Sequence, residues 1–127
     1  MNAEYRLVLT DNRKTAIVVW RSGRILVSAR LARVLHLIEG DSINILTDGE
    51  EHYVVRVARQ YGERKAVLRK TNRKSRGGSL FLYSKSLARH LLRVSDSTDK
   101  VRLAAGEPTK IDSFTVAVPL ITRNPIR

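Results

Sequence analysis

The sequence predicts a mainly β protein with two short helices, folded as a β-barrel with pseudo-two-fold symmetry. Two observations favour this class. Short β-branched and aromatic runs alternate with turn signals along the chain, which is typical of all-β domains. In addition, the stretch that begins at Ser28 recurs in similar form from Ser84. A half-chain of about sixty residues cannot bury both faces of its strands alone, so we expect the two halves to share one core.

The first half of the chain is predicted to consist of strands joined by tight turns. Continuous β-branched or aromatic runs indicate strands with a buried side, and polar–apolar alternation indicates strands with one exposed side. Asp48-Gly49 suits a hairpin turn, and Gly23 can take a positive φ in another turn. The predicted strands are 5–10, 15–20, 24–27, 42–46 and 52–58, with a turn at 11–14.

Ser28 is a natural N-cap for the first helix, because its hydroxyl can accept a hydrogen bond from an amide one turn ahead. The apolar residues behind it recur at the spacing of a single helix face. They are Leu31, Val34, Leu35 and Ile38. Arg30 and Arg33 fall away from this stripe, and Gly40 ends the helical pattern.

The second half begins in a basic segment, 64–76, in which seven of thirteen residues are Arg or Lys. Within it, the pair 67–68 is compatible with a strand, and 70–78 is predicted to be a mobile loop. A strand at 79–83 then leads to a second capped helix.

Ser84 caps that helix, and its apolar stripe is Leu87, Leu91 and Val94. Strands are predicted at 100–103 and 113–121, separated by a turn at 104–110. Because proline cannot donate to a strand ladder, Pro119 places the last strand at a sheet edge or ends it there.

An internal repeat is the strongest feature of the sequence. An offset of 56 residues superposes SARLARVL on SKSLARHL, so that the cap, a Leu-Ala-Arg triplet and the next Leu all match. The alternative is two unrelated amphipathic helices. We therefore predict a single domain over 1–127, built from a first repeat at 5–62 and a second at 63–123. The chain would be a monomer with an intramolecular pseudo-dimer, and a homodimer is the alternative.

Composition points to a polyanionic partner. The formal net charge is +12, and 17 of the 24 basic residues are arginines. Such an excess attracts nucleic acid above all, and arginine favours planar acceptors such as phosphate and guanine edges. The chain has no cysteine, which fits a reducing compartment, and it has no long apolar run for a membrane span or leader. We expect a soluble cytoplasmic protein with no membrane partner.

The stretch GRILVSARLARVLHLIEGDSINILTDGEEHYVVRV (23–57) resembles the swapped-hairpin fold of the AbrB and MazE transcription regulators. The matching positions are Gly23, Arg24, Leu31, Arg33, Leu35, Gly40, Asp41, Ile43 and Ile45. The resemblance implies that two copies interleave into one small barrel that binds duplex DNA, with Arg24 and Arg33 as contacts. It also implies a role in transcription regulation, as a repressor or an antitoxin. A double-psi barrel, also built from two halves, is the structural alternative.

The candidate nucleic-acid-binding residues are basic side chains of the hairpins, the helices and the basic segment. Those of the segment suit phosphate tracking, because a flexible basic loop gains most from counterion release. Solvated surface charge is the alternative for each of them. The full set is Arg21, Arg24, Arg30, Arg33, Lys65, Arg69, Lys70, Arg73, Lys74, Arg76, Lys85 and Arg89.

The sequence contains no pattern typical of catalysis, so we expect no enzyme activity, no cofactor and no metal. The three histidines are isolated, without a second ligand at helical or hairpin spacing. The aromatic residues of the strands could stack on unpaired bases, although a core or sheet-face role is favoured. They are Trp20, Tyr53, Tyr61, Phe81 and Tyr83. Binding of RNA or single strands, or docking of an acidic protein, remain the alternatives to duplex DNA.

Overall fold

Two antiparallel sheets and two short helices make up the computed structural model, which describes residues 15–58, 66–71 and 78–123. The strands are β1 (Ala16–Trp20), β2 (Arg24–Val27), β3 (Ser42–Thr47), β4 (His52–Val57), β5 (Arg69–Lys70), β6 (Leu80–Tyr83), β7 (Lys100–Ala104), β8 (Thr109–Lys110) and β9 (Val116–Leu120). The helices are α1 (Ala29–Val34) and α2 (Lys85–Val94). Sheet A has the order β5-β6-β2-β1-β7, and sheet B has the order β3-β4-β9-β8. The predicted mainly β class with two short helices is therefore confirmed.

In the residues that the structure describes, the two sheets do not form the closed barrel that the sequence predicts. On one side they are joined, because Ala105 continues β7 and bridges to Leu120 of β9. On the other side, closure would require a ladder between β3 and β5. The Leu68 amide donates to the Asp41 carbonyl at 2.7 Å, and the Gly40 amide donates to the Leu68 carbonyl at 2.9 Å. These bonds precede both strands, and the described parts of β3 and β5 then separate into different sheets.

Strands β2 and β6 pair about a local two-fold axis at the centre of sheet A. Arg24 lies opposite Tyr83, and Val27 lies opposite Leu80. The offset of 56 carries Arg24 to Leu80 and Val27 to Tyr83. The offset therefore maps each of these two residue pairs onto the other. A two-fold interface pairs residues in this self-complementary way. The division into repeats at 5–62 and 63–123 stays a prediction.

Both helices begin in the same way. The Ser28 hydroxyl accepts a hydrogen bond from the Leu31 amide at 3.3 Å, and the Ser84 hydroxyl accepts one from the Leu87 amide at 3.3 Å. Both predicted N-caps are confirmed. Ser28 accepts a second bond, from the Ala16 amide at 3.0 Å, so the first cap also fastens α1 to β1.

The helices differ in length, with six residues in α1 and ten in α2. Each is followed by a residue with positive φ, 55° at His36 and 54° at Asp96, in the left-handed conformation that ends many helices. The early reversal after α1 leaves Ile38 61% exposed. The prediction that Ile38 completes the apolar stripe is therefore wrong, while the other stripe residues of α1 are buried or half-buried.

One core lies between the two sheets and the helices. Alternate residues of the sheet A strands point inward and are buried, as the two-residue period of a strand requires. The largest fully buried side chains include Ile17, Ile25, Leu31, Leu82, Leu91 and Leu103. Sheet B contributes Ile43, Val54, Val118 and Leu120 to the same core.

Two strands of two residues each differ from the sequence expectation. Lys70, predicted to open a mobile loop, pairs with Leu80 in sheet A. Strand β8 lies in the segment 104–110, which was expected to be a turn. A two-residue strand is too short to show periodicity, so its pairing depends on the neighbouring strand. The predicted strand 5–10, the turn 11–14 and residues 72–77 of the loop lie outside the described residues.

Pro119 lies within sheet B rather than at its edge, because β9 pairs with both β4 and β8. The Pro119 carbonyl accepts a hydrogen bond from the Gly106 amide at 2.8 Å. A Cβ on Gly106 would lie 3.1 Å from Pro119 Cγ, so the glycine leaves space for the proline ring. The predicted edge position is wrong, although the strand does end one residue later, at Leu120.

Candidate nucleic-acid interface

The outward face of sheet A carries basic and aromatic side chains side by side. The inward positions of its strands are the aliphatic residues of the core, so alternation places the intervening residues on the opposite face. We call this surface the sheet A face. It comprises Val18, Trp20, Arg24, Leu26, Arg69, Phe81, Tyr83, Lys100 and Arg102.

The strand register arranges these side chains in two rows across the sheet. The first row is Arg69, Phe81, Leu26, Val18 and Arg102. The second row is Tyr83, Arg24, Trp20 and Lys100. With strands about 4.8 Å apart, the rows are roughly 14 to 19 Å long. Basic residues therefore lie at both ends of the first row, and they alternate with aromatic residues in the second row.

Arg24 lies between two aromatic rings on this face. Its Cζ atom is 5.3 Å from the centroid of the Trp20 ring and 5.3 Å from that of Phe81. Lys100 Nζ lies 5.3 Å from the Trp20 centroid, and Phe81 meets Tyr83 edge-on at 6.0 Å. These distances suit cation–π contacts. The Arg24 Nε atom is buried without a hydrogen-bond partner, so ring contacts hold that side of the guanidinium.

The turn between β1 and β2 brings α2 next to the sheet A face. Gly23 has a φ of 105°, and its carbonyl accepts from the Ser84 amide at 2.8 Å. A Cβ on Gly23 would lie 3.1 Å from Lys85 Cγ. Only glycine meets both the conformation and the close contact without strain. The basic residues at the start of α2 are thereby fixed beside the end of the sheet.

A groove of about 440 Å³ lies between this turn and α2. We call it the α2 groove, and its basic residues are Arg21, Lys85, Arg89 and Arg93. Arg21 is ion-paired with Asp99 at 3.7 Å, and both side chains are 80% exposed. Such an exposed pair adds little stability, so Arg21 can exchange the carboxylate for a phosphate at small cost.

Arg33 lines a different space, a cavity of about 760 Å³ beside α1, together with Lys70. Glu39 is also in that lining, and its carboxylate accepts from the Lys70 amide at 3.2 Å. Strand β2 begins at Arg24, whereas α1 follows the other end of the strand. The structure therefore separates Arg24 and Arg33, which the resemblance pairs as DNA contacts.

The other predicted site residues are distributed as follows. Arg69 lies on the sheet A face opposite Phe81, and Arg30 is half-buried on α1. Lys65, Arg73, Lys74 and Arg76 lie outside the described residues.

Three basic residues of the two surfaces were absent from the sequence prediction, namely Arg93, Lys100 and Arg102. The sequence does contain a pattern that indicates Lys100 and Arg102. Lys100 and Arg102 alternate with the buried Val101 and Leu103, which places both on the outward face once the strand is recognised.

Asp41 holds sheet B to the turn after α1. Its carboxylate is buried, and Oδ2 accepts from Arg56 Nε at 2.8 Å and from the Ile38 amide at 3.1 Å. A buried carboxylate without these donors would be costly. The Gly-Asp match to the AbrB and MazE pattern therefore has a structural role in this chain.

Two histidine rings lie where α2 meets sheet B. His52 is buried, His90 is half-buried, and their ring centroids are 5.3 Å apart. Burial, followed by the charges of His52 and Arg93, lowers the pKa of His90 below its ordinary value of 6.5. No group of three His, Cys, Asp or Glu in the described ranges could hold a metal ion.

Comparison of the chain with models of known protein families, with curated proteins and with solved structures finds no match. No family is shown. The likeness to the AbrB and MazE regulators thus remains an expectation drawn from the residues, and the function has to be inferred from the surfaces. Neither of the helices that the structure describes is long and apolar enough to cross a membrane.

Proposed function

We propose that this protein binds nucleic acid on the sheet A face and the adjoining α2 groove. The observation that carries the proposal is the meeting of these two surfaces at the β1–β2 turn, where the backbone of Gly23 contacts α2. Basic side chains from three strands, the β1–β2 turn and a helix are thereby gathered at one region of a chain with a formal charge of +12. Clustered arginine and lysine on one face is the electrostatic footprint of phosphate binding.

As its role, we propose cytoplasmic transcription regulation on duplex DNA, and one observation favours this. Arg33 and Arg89 are 56 residues apart and occupy the same position after the two N-caps. Two equivalent arginines could contact successive phosphates or groove edges of a duplex, as two-fold DNA-binding proteins do. The separation of Arg24 from Arg33 means that the contacts implied by the resemblance would not act as one group.

An acidic protein partner is the second candidate, since the same charge would attract it. The sheet A face favours nucleic acid over this candidate, because its rings lie beside its cations rather than in a separate apolar patch. Phosphates can bind the cations while bases contact the rings.

Neutralising two arginines of the α2 groove tests the proposal. We expect Arg89→Gln with Arg93→Gln to weaken binding of a labelled oligonucleotide and to reduce the slope of log K against log salt by about two. The matched control is Lys110→Gln with Arg123→Gln, which removes the same charge from exposed residues elsewhere. The control should retain most of the slope. Absence of salt-dependent binding to any nucleic acid at about 0.1 M salt would contradict the proposal.

A further inference from the structure

We infer that the sheet A face binds a single-stranded segment of nucleic acid by stacking unpaired bases on Trp20, Phe81 and Tyr83. The inference rests on the proposed function, and it names the form of nucleic acid and the atoms that recognise it. Unpaired bases offer their flat faces to aromatic rings, and each stacked base contributes substantially to affinity in proteins that bind single strands.

The three rings are not needed to close the core. The inward residues of the same strands are fully buried, with Ile25 at 0% and Leu82 at 1% exposure. Tyr83 in contrast is 57% exposed, while Trp20 and Phe81 are half-buried. Tyr83 therefore leaves more than half of its surface in solvent, and the other two rings are only partly covered by the folded chain. Their placement is explained if a ligand covers them.

The basic side chains of the sheet A face lie where the phosphates of a stacked single strand would lie. Within the second row, Tyr83 is followed by Arg24, Trp20 and Lys100 on adjacent strands, so that rings and cations alternate. The row is roughly 14 Å long. This length suits two or three stacked bases, the number that the exposed aromatic residues of a sheet bind in some RNA-binding folds. The planar guanidinium of Arg24 is itself a surface on which a base can stack.

A paired duplex fits this face less well. In a duplex the faces of the bases are covered by their neighbours, and the base edges lie in grooves that a helix or a two-stranded ribbon enters. The sheet A face is instead the flat side of a five-stranded sheet. It can contact a duplex only through phosphates, which would leave the three rings without a function.

Binding of single-stranded probes to aromatic variants tests the inference. The probes are labelled oligo(dT) and oligo(U) of about 12 nucleotides and a mixed-sequence duplex of the same length. We expect Tyr83→Ala and Phe81→Ala each to weaken binding of the single strands roughly tenfold and to leave binding of the duplex unchanged. Phe114→Ala is the matched control, because Phe114 is 97% exposed and lies in the turn that joins β8 to β9 of sheet B. Its affinity should equal that of the unaltered chain.

Arg24→Lys separates stacking from charge, since lysine keeps the charge and loses the plane. We expect weaker binding of single strands with an unchanged salt slope. Tighter binding of oligo(U) would assign the surface to RNA, and tighter binding of oligo(dT) would assign it to DNA. Either result supports the inference. Thermal denaturation monitors folding, and Tyr83→Ala keeps the test valid if the half-buried Phe81 cannot be replaced.

Three results would overturn the inference. They are an equal loss of affinity for the duplex and the single strands in the aromatic variants, full affinity of Tyr83→Ala for the single strands, or equal affinity of the unaltered chain for polyglutamate and oligo(dT), which would favour an acidic protein. In the first two cases salt-dependent nucleic-acid binding could persist, so the proposed function would stand without the single-strand specificity. If the unaltered chain bound no nucleic acid, the result would contradict both the proposed function and the single-strand inference.

Discussion

Sheets A and B have similar inward faces and very different outward faces. Both contribute aliphatic residues to one core, and both are antiparallel. On sheet A the outward strand positions include Arg24, Arg69, Lys100 and Arg102 together with three aromatic residues. Alternation gives the outward strand positions of sheet B as Ser42, Asn44, Leu46, Tyr53, Val55, Val57, Thr109, Ala117 and Pro119. No described strand of sheet B has an arginine or lysine at these positions.

Among the described strands, the outward positions of sheet A therefore carry basic side chains and those of sheet B do not. A chain that needed charge for solubility alone would gain as much from basic residues on either sheet. In line with the proposed function, we propose that sheet A binds the ligand and that sheet B is the framework that supports it. Variants that affect one property and leave the other unchanged test this division.

The largest effect on stability is expected at Asp41, which directly precedes β3 of sheet B. Asp41→Ala removes the buried acceptor of Arg56 and of the Ile38 amide, which should lower the free energy of unfolding by about 3 kcal/mol. Asp41→Asn keeps an amide oxygen as acceptor and should cost less. Urea denaturation measures both. Affinity for nucleic acid, measured well below the unfolding midpoint, should not change, and a large loss of affinity would contradict the division.

A smaller effect is expected at the two N-caps. Ser28→Ala removes hydrogen bonds from the Leu31 and Ala16 amides, whereas Ser84→Ala removes the bond from Leu87. We expect losses of about 2 and about 1 kcal/mol respectively. Equal losses in thermal or urea denaturation would show that the Ser28 link between α1 and sheet A contributes nothing.

The smallest effect concerns the contact of α2 with sheet B. Because the pKa of His90 is lowered from 6.5 by burial and by His52 and Arg93, the unfolded chain binds a proton at a higher pH than the folded chain does. The free energy of unfolding should therefore fall as the pH drops below about 6.5. His90→Gln should reduce this dependence in denaturation curves between about pH 7.5 and 5. His36→Asn, at an exposed histidine, is the control, and an equal reduction in it would contradict the assignment.

The sequence predicts local structure well where a side chain acts on its own backbone. Ser28 and Ser84 cap their helices as expected, and the β1–β2 hairpin turns at Gly23. These features depend on hydrogen bonds and φ angles within a few residues. The exposed position of Ile38 was not predictable, because the helical spacing continues past the point where His36 reverses the chain.

Features that depend on distant partners were predicted less well. Strand β5 exists through its pairing with β6, and Pro119 is accepted inside sheet B because Gly106 provides space for its ring. Whether the two sheets close into a barrel likewise depends on how their edge strands meet. The sequence identified many basic residues of the site, but only the strand register shows that Arg24 lies between Trp20 and Phe81.

Fluorescence of Trp20, the single tryptophan of the chain, tests the central claim most directly. The titration compares oligo(dT) of about 12 nucleotides with an abasic strand of the same length and charge. If bases stack on the sheet A face, oligo(dT) should quench the emission and the abasic strand should bind more weakly with little quenching. Equal affinity and equal change in emission with both strands would contradict the account, because phosphates alone would then explain the binding.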